Sequence, residues 1–459
     1  MTYAEAIRFL YDLRLFGAKF GLENTLKLAA LAGNPQNQLR FIHVAGTNGK
    51  GSTCAMLESI YRASGLRVGL FTSPHLVSFR ERIQVNRQLI NEQDVVRLTE
   101  ELRKQSLEFR PAFRGTVSGP AKAGTPNQDA CPTFFEFITV MALKFFAEQK
   151  CDLVIWETGL GGRLDATNIV TPLASVITNI AFDHQQWLGN TLAKIAAEKA
   201  GIIKPGVPVI TATDEPEALK VIEEVARGEN APFIKINSWE GRRVAVPNQL
   251  GSPTWQPSQI GVLSLPGEHQ KLNAALALAT VEVLQNKIPV NEKNIRAGLQ
   301  NVDWPGRLQW VTSPDNQRLL LDGAHNVAGA KVLRAALEKI FPATKRTLIL
   351  GVLQDKDWQH ICETLAPLAS RIFTVPVSSE RSANPNQLAA ACRAANLSAE
   401  ISVCDSLRVA LEKIPDNNPV VITGSLYLVG EALELLGFSP ATGGERALNE
   451  WCAVQDLNL

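Results

Sequence analysis

The stretch "FIHVAGTNGKGSTCAML", from Phe41 to Leu57, decides how the rest of the chain is read. Apolar residues run into Gly46 as a buried strand would, a glycine turn follows, and Met56, Leu57 and Ile60 carry helical spacing towards Gly65. A turn of this kind aims backbone N–H groups and a helix N-terminus at one point, and together with Lys50 they can hold polyphosphate. The candidates are Thr47, Asn48, Gly49, Lys50, Gly51, Ser52 and Thr53. The spelling departs from the standard P-loop. Its first glycine would fall on Val44, and Gly51 rather than a hydroxyl residue follows the lysine. The strand before and the helix after, more than the glycines, carry the phosphate reading.

Working outward, "LRVGLFTSP" is a second strand, so the unit is strand, loop, helix, strand, as in an α/β domain with a mostly parallel sheet. "CDLVIWE" is another strand ending in Glu157, and "ASVITNIAFDH" places Asp183 and His184 directly after an apolar run. Such strand ends are where open parallel sheets bind ligands. Ser73, Glu157, Asp183 and His184 form an oxygen-rich set with one imidazole, suited to magnesium or manganese rather than zinc. Taken alone, His184 is equally a structural histidine. Lys199 and Lys204 read as helix-end cations. Helices are expected around 91–108, through "TFFEFITVMALKFFAEQ", in "TLAKIAAEKAG" and in "HQKLNAALALATVEVL". The Gly- and Pro-rich excursion at about 110–131 reads as a solvent loop or a substrate-contacting lid, and 242–264 as short strands and turns.

"NVDWPGRLQW", with Pro305 and Gly306, is the expected joint between two domains, 1–304 and 305–459. Beyond it "RLLLDGAHN", "RTLILGV", "RIFTVPV" and "NPVVITGSLYLVG" alternate with helical stretches, a second and smaller α/β domain. There Asp322, His325 and Asn326 follow a strand, while Arg307 at the joint would clamp a phosphate or pair the two domains. Candidate groups on opposite lobes imply closure over a substrate. Four of the six histidines, 43, 75, 184 and 325, fall in or beside these loops.

Composition narrows the class further. The chain has 459 residues, 20% charged and 45% hydrophobic, enough for more than one core. Its 46 basic and 45 acidic residues leave a formal charge of +1, so no global field recruits nucleic acid or an anionic membrane. Seven scattered cysteines without a CxxC pair fit a reducing cytoplasm and argue against structural zinc. The N-terminal "MTYAEAIRFLYDLRLFGAKFG" is broken by Glu5, Arg8, Asp12 and Arg14, unlike a signal peptide, and no apolar run approaches the about 18 residues of a membrane span.

With these residues in view, the sequence resembles the folylpolyglutamate synthase and dihydrofolate synthase family, a branch of the ATP-dependent Mur-type amide ligases. The ordered set "GLEN", "HVAGTNGKGST", "TSPHLVSFRERI", "ETGLGGRLDATN", "DHQQWLGNTLAKIAAEKAGIIKPG", "LPGEHQKLNAALA", "WPGRLQ", "LDGAHN" and "TGSLYLVG" carries the resemblance through nearly the whole chain. It implies a three-layer P-loop ATPase-like domain of the Mur central-domain type, then a smaller Rossmann-like domain, with ATP between them. By the same resemblance Lys50 and its loop hold the β and γ phosphates. Ser73, Glu157 and His184 match magnesium positions, and Lys199 matches a lysine that is carbamylated and helps organise a second magnesium. Asn273 matches an adenine contact and Arg307 a phosphate contact. Asp322 and His325 match positions facing nucleotide and the incoming amino acid. Thr133, Phe134, Phe135 and Glu136 resemble the pterin side of members acting on both dihydropteroate and tetrahydrofolate.

The implied reaction is ATP-dependent addition of L-glutamate to a pterin carboxylate by a cytoplasmic monomer. A cell-wall-type amino-acid ligase is the nearest alternative. Those enzymes usually place Thr directly after the lysine and carry a further N-terminal domain, whereas this chain reaches its loop by Gly46. A non-catalytic ATP-dependent module would explain Lys50 but not Asp322 and His325.

Overall fold

The computed structural model describes residues 1–16, 21–106, 132–237, 243–245, 261, 263–313, 316–342, 346–414, 419–438 and 445. The excursion at 110–131 and most of 242–264 lie outside the described residues.

The first sheet contains β1 (Phe41–Ala45), β2 (Val68–Phe71), β3 (Ile83–Val85), β4 (Gln88–Leu89), β5 (Leu153–Glu157), β6 (Ala174–Ile177), β7 (Val209–Thr211), β8 (Phe233–Ile236) and β9 (Arg243–Ala245). Their order is β4-β3-β2-β5-β1-β6-β7-β8-β9. From β2 to β8 neighbouring strands are parallel, and antiparallel β3, β4 and β9 finish the two edges. β1 is buried along its whole length because it is covered on both faces. Ile42 and Val44 pack with the helices Lys50–Ala63 and Glu268–Val283, while Phe41 packs with the helix Phe134–Glu148. Each large apolar side chain buried this way contributes about 1.5–3 kcal/mol. Helix, sheet and helix make the three layers.

The second sheet contains β10 (Gln309–Thr312), β11 (Arg318–Leu321), β12 (Thr347–Leu350), β13 (Arg371–Thr374), β14 (Glu400–Val403) and β15 (Val420–Thr423), in the order β10-β11-β15-β12-β13-β14. Only β10 runs antiparallel among these strands. Two core clusters cover its two faces, as in a doubly wound fold.

This topology positions the site. In the first sheet the chain leaves β1 towards β2 on one side and later crosses to β6 on the other, so a crevice opens past the ends of β1 and β6. In the second sheet β15 returns between β11 and β12, bringing the loops after all three strands together. Leu76 and Val77, from the loop after β2, pack into the core beside β11 and β15, tying the two lobes.

Candidate active site

The two strand-end crevices face each other across a cleft of about 410 Å³. On the first lobe the loop after β1 is stitched to the loop after β6. Thr47 N donates to Asn179 O at 2.8 Å, Asn48 N to Asn179 Oδ1 at 2.8 Å, and Thr178 Oγ1 to Asn48 O at 2.7 Å. Lys50 opens its helix, with Gly49 before it at φ 85°. That left-handed conformation favours glycine, and a β-carbon there would stand 2.5 Å from Asn273 Oδ1. Gly51 has a separate reason: its β-carbon would lie 2.9 Å from Cζ2 and Nε1 of Trp304. The unusual residue after the lysine therefore makes room for an indole.

Lys50 Nζ donates to Gly46 O and Thr47 O, both at 3.1 Å, and Lys199 Nζ donates to the same Gly46 O at 2.7 Å. Burial, reinforced by Lys50, pushes Lys199 down to about 7. Glu157, buried at the end of β5, accepts from Ser73 N at 3.0 Å. Burial pushes its carboxyl up to about 7, against the pull of Lys50 and Arg307.

Asp183 joins the lobes. Its Oδ1 accepts from Lys356 Nζ at 2.6 Å and from His184 N at 2.9 Å, and its Oδ2 from Asn326 Nδ2 at 3.0 Å. His325 Nε2 lies 3.7 Å from the same Oδ2. Burial opposes ionisation of Asp183, but the contacts with His325, His184 and Lys356 outweigh it and hold the acid well below the usual carboxylate range. Asn326 also exchanges amide hydrogen bonds with Asn48 at 2.9 and 3.2 Å and caps its own helix through Gly329 N. His184 Nε2 stands 3.4 Å from Lys356 Nζ, and burial, then Lys356, lowers His184 to about 3. His325 Nδ1 donates to Gly323 O at 2.8 Å, which leaves Nε2 facing Asp183.

The other candidates sort by what they touch. Asn273 lines the cleft beside Gly49 and donates to Gln270 Oε1 at 2.9 Å. Arg307 lines it with Nη1 on Gly306 O at 3.0 Å. Asp322 accepts from Leu308 N and Ala324 N, each at 2.9 Å, so its carboxylate ties the joint to the loop after β11. Thr133 and Glu136 bond each other as the capping box of the helix Phe134–Glu148. Phe134 is buried under Phe79 with its centroid 5.4 Å from the Arg82 guanidinium carbon, while half-buried Phe135 packs on Phe71.

Three expectations need correction. Thr53 does not line the cleft; it is fully buried in the second half-turn of the Lys50 helix, facing the core. Asp183 and His184 are not directly after a strand, because β6 ends at Ile177 and the intervening residues cross to the loop after β1. His43 is a core group on β1 with Nε2 2.9 Å from Thr167 Oγ1, and burial lowers it to about 3. The sequence reading missed Lys356, whose signal was a charged run, "DKD", in the loop after β12. It also missed Asn179, Arg82 and the buried Asp165, which accepts from Leu160 N at 2.7 Å in the cleft wall.

Among the described residues no three His, Cys, Asp or Glu side chains converge as a closed metal cage. Magnesium fits such an arrangement, because it binds through one or two protein oxygens plus phosphates and retained waters. Burial pushes the Glu157 carboxyl up to about 7, so a cation bound beside it would offset the cost of its charge. The donors Ser73, Glu157 and His184 all line the Lys50 side of the cleft.

Comparison with known proteins identifies the class first. The Mur ligase middle domain matches residues 44–281, and the Mur ligase glutamate ligase domain matches residues 306–426. The dihydrofolate synthase/folylpolyglutamate synthase of Bacillus subtilis (strain 168) is 35% identical over 438 residues, spanning 94% of this chain and 98% of that protein. The folylpolyglutamate synthase of Thermotoga maritima superposes with a TM-score of 0.77 at 34% identity, over 97% of this chain and 98% of the other. E. coli FolC, in its complex with DHPP and ADP, gives 0.78 at 30% identity over 95% and 98%. The chain belongs to the folylpolyglutamate synthase and dihydrofolate synthase family of Mur ligases. The family reached from the motifs is the one found. Among the described residues no helix is long and apolar enough to cross a membrane.

Proposed function

We propose that this protein uses ATP to add L-glutamate to dihydropteroate and to reduced folates through an acyl phosphate, releasing ADP and phosphate. The observation that carries the reading is the facing of Lys50 and Lys199, both on Gly46 O, against His325 and Lys356, which meet the first lobe through Asp183. Residues 1–304 would bind ATP and the pterin, and residues 305–459 would deliver glutamate. The two sheets and the two family matches support that division.

A carboxylate is too poor an electrophile to meet an amine directly. One of its oxygens attacks the γ-phosphorus of ATP and ADP leaves; the deprotonated amine of glutamate then attacks the acyl carbon, the C–O bond to phosphate breaks, phosphate leaves with that oxygen, and the nitrogen gives up a proton to leave the neutral amide. Lys50 and the N–H groups of its loop stabilise the charge on the moving phosphoryl group. Asn273 and Arg307 hold the nucleotide. Ser73, Glu157 and His184 would hold magnesium, which when bound offsets phosphate charge. With a pKa near 7, about half of Lys199 is neutral at neutral pH, the form whose Nζ adds to CO2 with loss of a proton. The resulting carbamate would serve a second magnesium. His325 Nε2 faces the place where the amine arrives, and Asp322 holds the joint that brings it there. Closure along Asn48, Asn326, Asp183 and Lys356 excludes water from the acyl phosphate.

On the pterin side Phe135 offers its ring, Phe134 supports Arg82 from below, and the Thr133–Glu136 cap fixes both. Two aromatic positions in the cleft wall, Phe134 and Phe135, support action on both pterin substrates. The test is incubation with ATP, magnesium, L-glutamate and either dihydropteroate or tetrahydrofolate, with products weighed by mass spectrometry. The expected product is one glutamyl unit heavier; no gain on either substrate sinks the proposal, and gain on only one restricts it.

A further inference from the structure

The joint between the lobes begins behind the phosphate loop. The helix Glu292–Gln300, which feeds the joint, packs along the helix Lys50–Ala63: Ile295 and Leu299 share a core with Leu57 and Ile60, and Ser59 Oγ donates to Gly298 O at 2.7 Å. Val302 O then accepts from Ser264 Oγ at 2.7 Å, and Asp303 Oδ2 lies 3.4 Å from Arg87 Nη2. Trp304 completes this anchor. The edge of its indole meets Gly51, in the first turn of the Lys50 helix, where a β-carbon would lie 2.9 Å from Cζ2 and Nε1. The centroid of its ring lies 5.5 Å from the Arg87 guanidinium carbon.

Two residues further on, the backbone belongs to the second lobe. Gly306 O accepts from Gly323 N at 3.0 Å, and Leu308 N donates to Asp322 Oδ2 at 2.9 Å. Only Pro305 stands between Trp304 and Gly306, and its ring fixes φ at about −65°, so the crossing is short and stiff. A stiff crossing transmits a displacement that a flexible one would absorb. Trp304 is not among the residues that line the cleft, whereas Gly49, Lys50, Gly51, Ser52 and Arg307 are. The segment 304–307 thus meets the phosphate site twice, with the indole behind the loop and the guanidinium on the cleft side.

We propose that Trp304 is a positioning residue for the nucleotide phosphates: its indole backs the first turn of the Lys50 helix and locks that turn to the joint, so one stiff stretch of backbone places both the loop and Arg307. The inference rests on the ligase reading above for its chemistry and adds a residue that touches no reactant. It also gives the glycine after Lys50 a task, since a side chain there would push the indole and, with it, the joint. The pterin wall is built from other elements, the helix Phe134–Glu148 and the loop after β5. Pterin recognition and phosphate placement should therefore separate.

The test uses the full chain and the variants Trp304→Ala, Trp304→Phe and Gly51→Ala, with Gly51→Ala also combined with each change at Trp304. Affinity for a non-hydrolysable ATP analogue with magnesium is measured by calorimetry without pterin, beside steady-state kinetics with dihydropteroate and the thermal midpoint. Trp304→Ala is expected to weaken analogue binding about tenfold, the scale of one hydrogen bond to a charged group. It should lower kcat by up to about 100-fold, the scale of an ångström's misplacement, with the KM for dihydropteroate unchanged. Trp304→Phe, which keeps a ring but draws it back from Gly51, should retain most of both. Gly51→Ala should weaken analogue binding in the parent, less in the Trp304→Phe background, and no further in the Trp304→Ala background, because the atoms it strikes are gone. The Trp304→Phe pair carries this comparison if the alanine variant does not fold. Independent, multiplying effects of the two changes, a KM for dihydropteroate that rises as much as the analogue's Kd, or a lower thermal midpoint with analogue binding and kcat unmoved would each overturn the proposal and leave Trp304 a packing residue. A parent protein that binds the analogue yet makes no product from either pterin overturns the ligase reading alone, and the binding measurements then still decide the role of Trp304.

Discussion

The loops after β1 and β11 occupy matching places at the ends of parallel strands, yet they hold charge in opposite ways. The loop after β1 gathers two lysines on a single backbone oxygen, Gly46 O, with Lys199 buried to 5% exposure. The loop after β11 uses its carboxylate, Asp322, on two backbone amides and its imidazole, His325, on a carbonyl. A lysine charge beside a helix N-terminus in a crevice is an anion site before any anion arrives. Groups already bonded to their own backbone are a scaffold that is moved as a unit. The first loop therefore carries the electrostatics and the second the geometry, and Asn326 with Asp183 is where the two are registered.

The comparison can be broken most directly at Lys50. Lys50→Ala should lower turnover by at least about 100-fold, the scale of losing one preorganised charge-stabilising donor, and weaken ATP binding as well. Unchanged turnover with the product assay would remove Lys50 from its role. Lys199→Ala should fall nearly as far, by about 100-fold, but recover in part when a short-chain carboxylate is added. Equal activity of variant and parent without supplement excludes a carbamate there. Asn326→Ala tests the registration itself: losing the cap costs about 1 kcal/mol of stability, and ATP hydrolysed per glutamate joined should rise as water enters. A coupling ratio identical to the parent's would assign Asn326 to capping alone. Gly51→Ala pushes on Trp304 and should destabilise the fold by about 1–3 kcal/mol in a denaturant titration. The smallest effect is expected at Thr133→Ala, about 1 kcal/mol from loss of the cap; a large rise in pterin KM at unchanged stability would instead make Thr133 a direct contact.

Local pattern made much of the site legible. The strand, the turn and the helix around Lys50 are each written in neighbouring residues, as are the strand ends at Glu157 and Asp322. Thr53 was misread for the same reason: adjacency placed it with the loop, but the helical turn rotates its side chain into the core. Asp183 was read as following a strand because "IAF" is apolar, although those residues run as a loop and not as strand. Phe134 and Phe135 look equivalent in sequence, and the helix puts one under Arg82 and the other beside Gly159.

By itself the sequence determined the α/β class and the order of motifs, with Lys50, Glu157 and His184 as candidates, since period and turn chemistry act between near neighbours; the family and the candidacy of Lys199 came from the resemblance that the ordered motifs carry. Only the tertiary structure decided which groups share an atom. Lys356 and Asp183 are 173 positions apart, and His75 and Glu445 are 370 apart. No local spacing encodes such pairs. They exist because two sheets bury their own faces first and the packed lobes then bring strand-end loops within hydrogen-bond reach, where position in space replaces position in the chain.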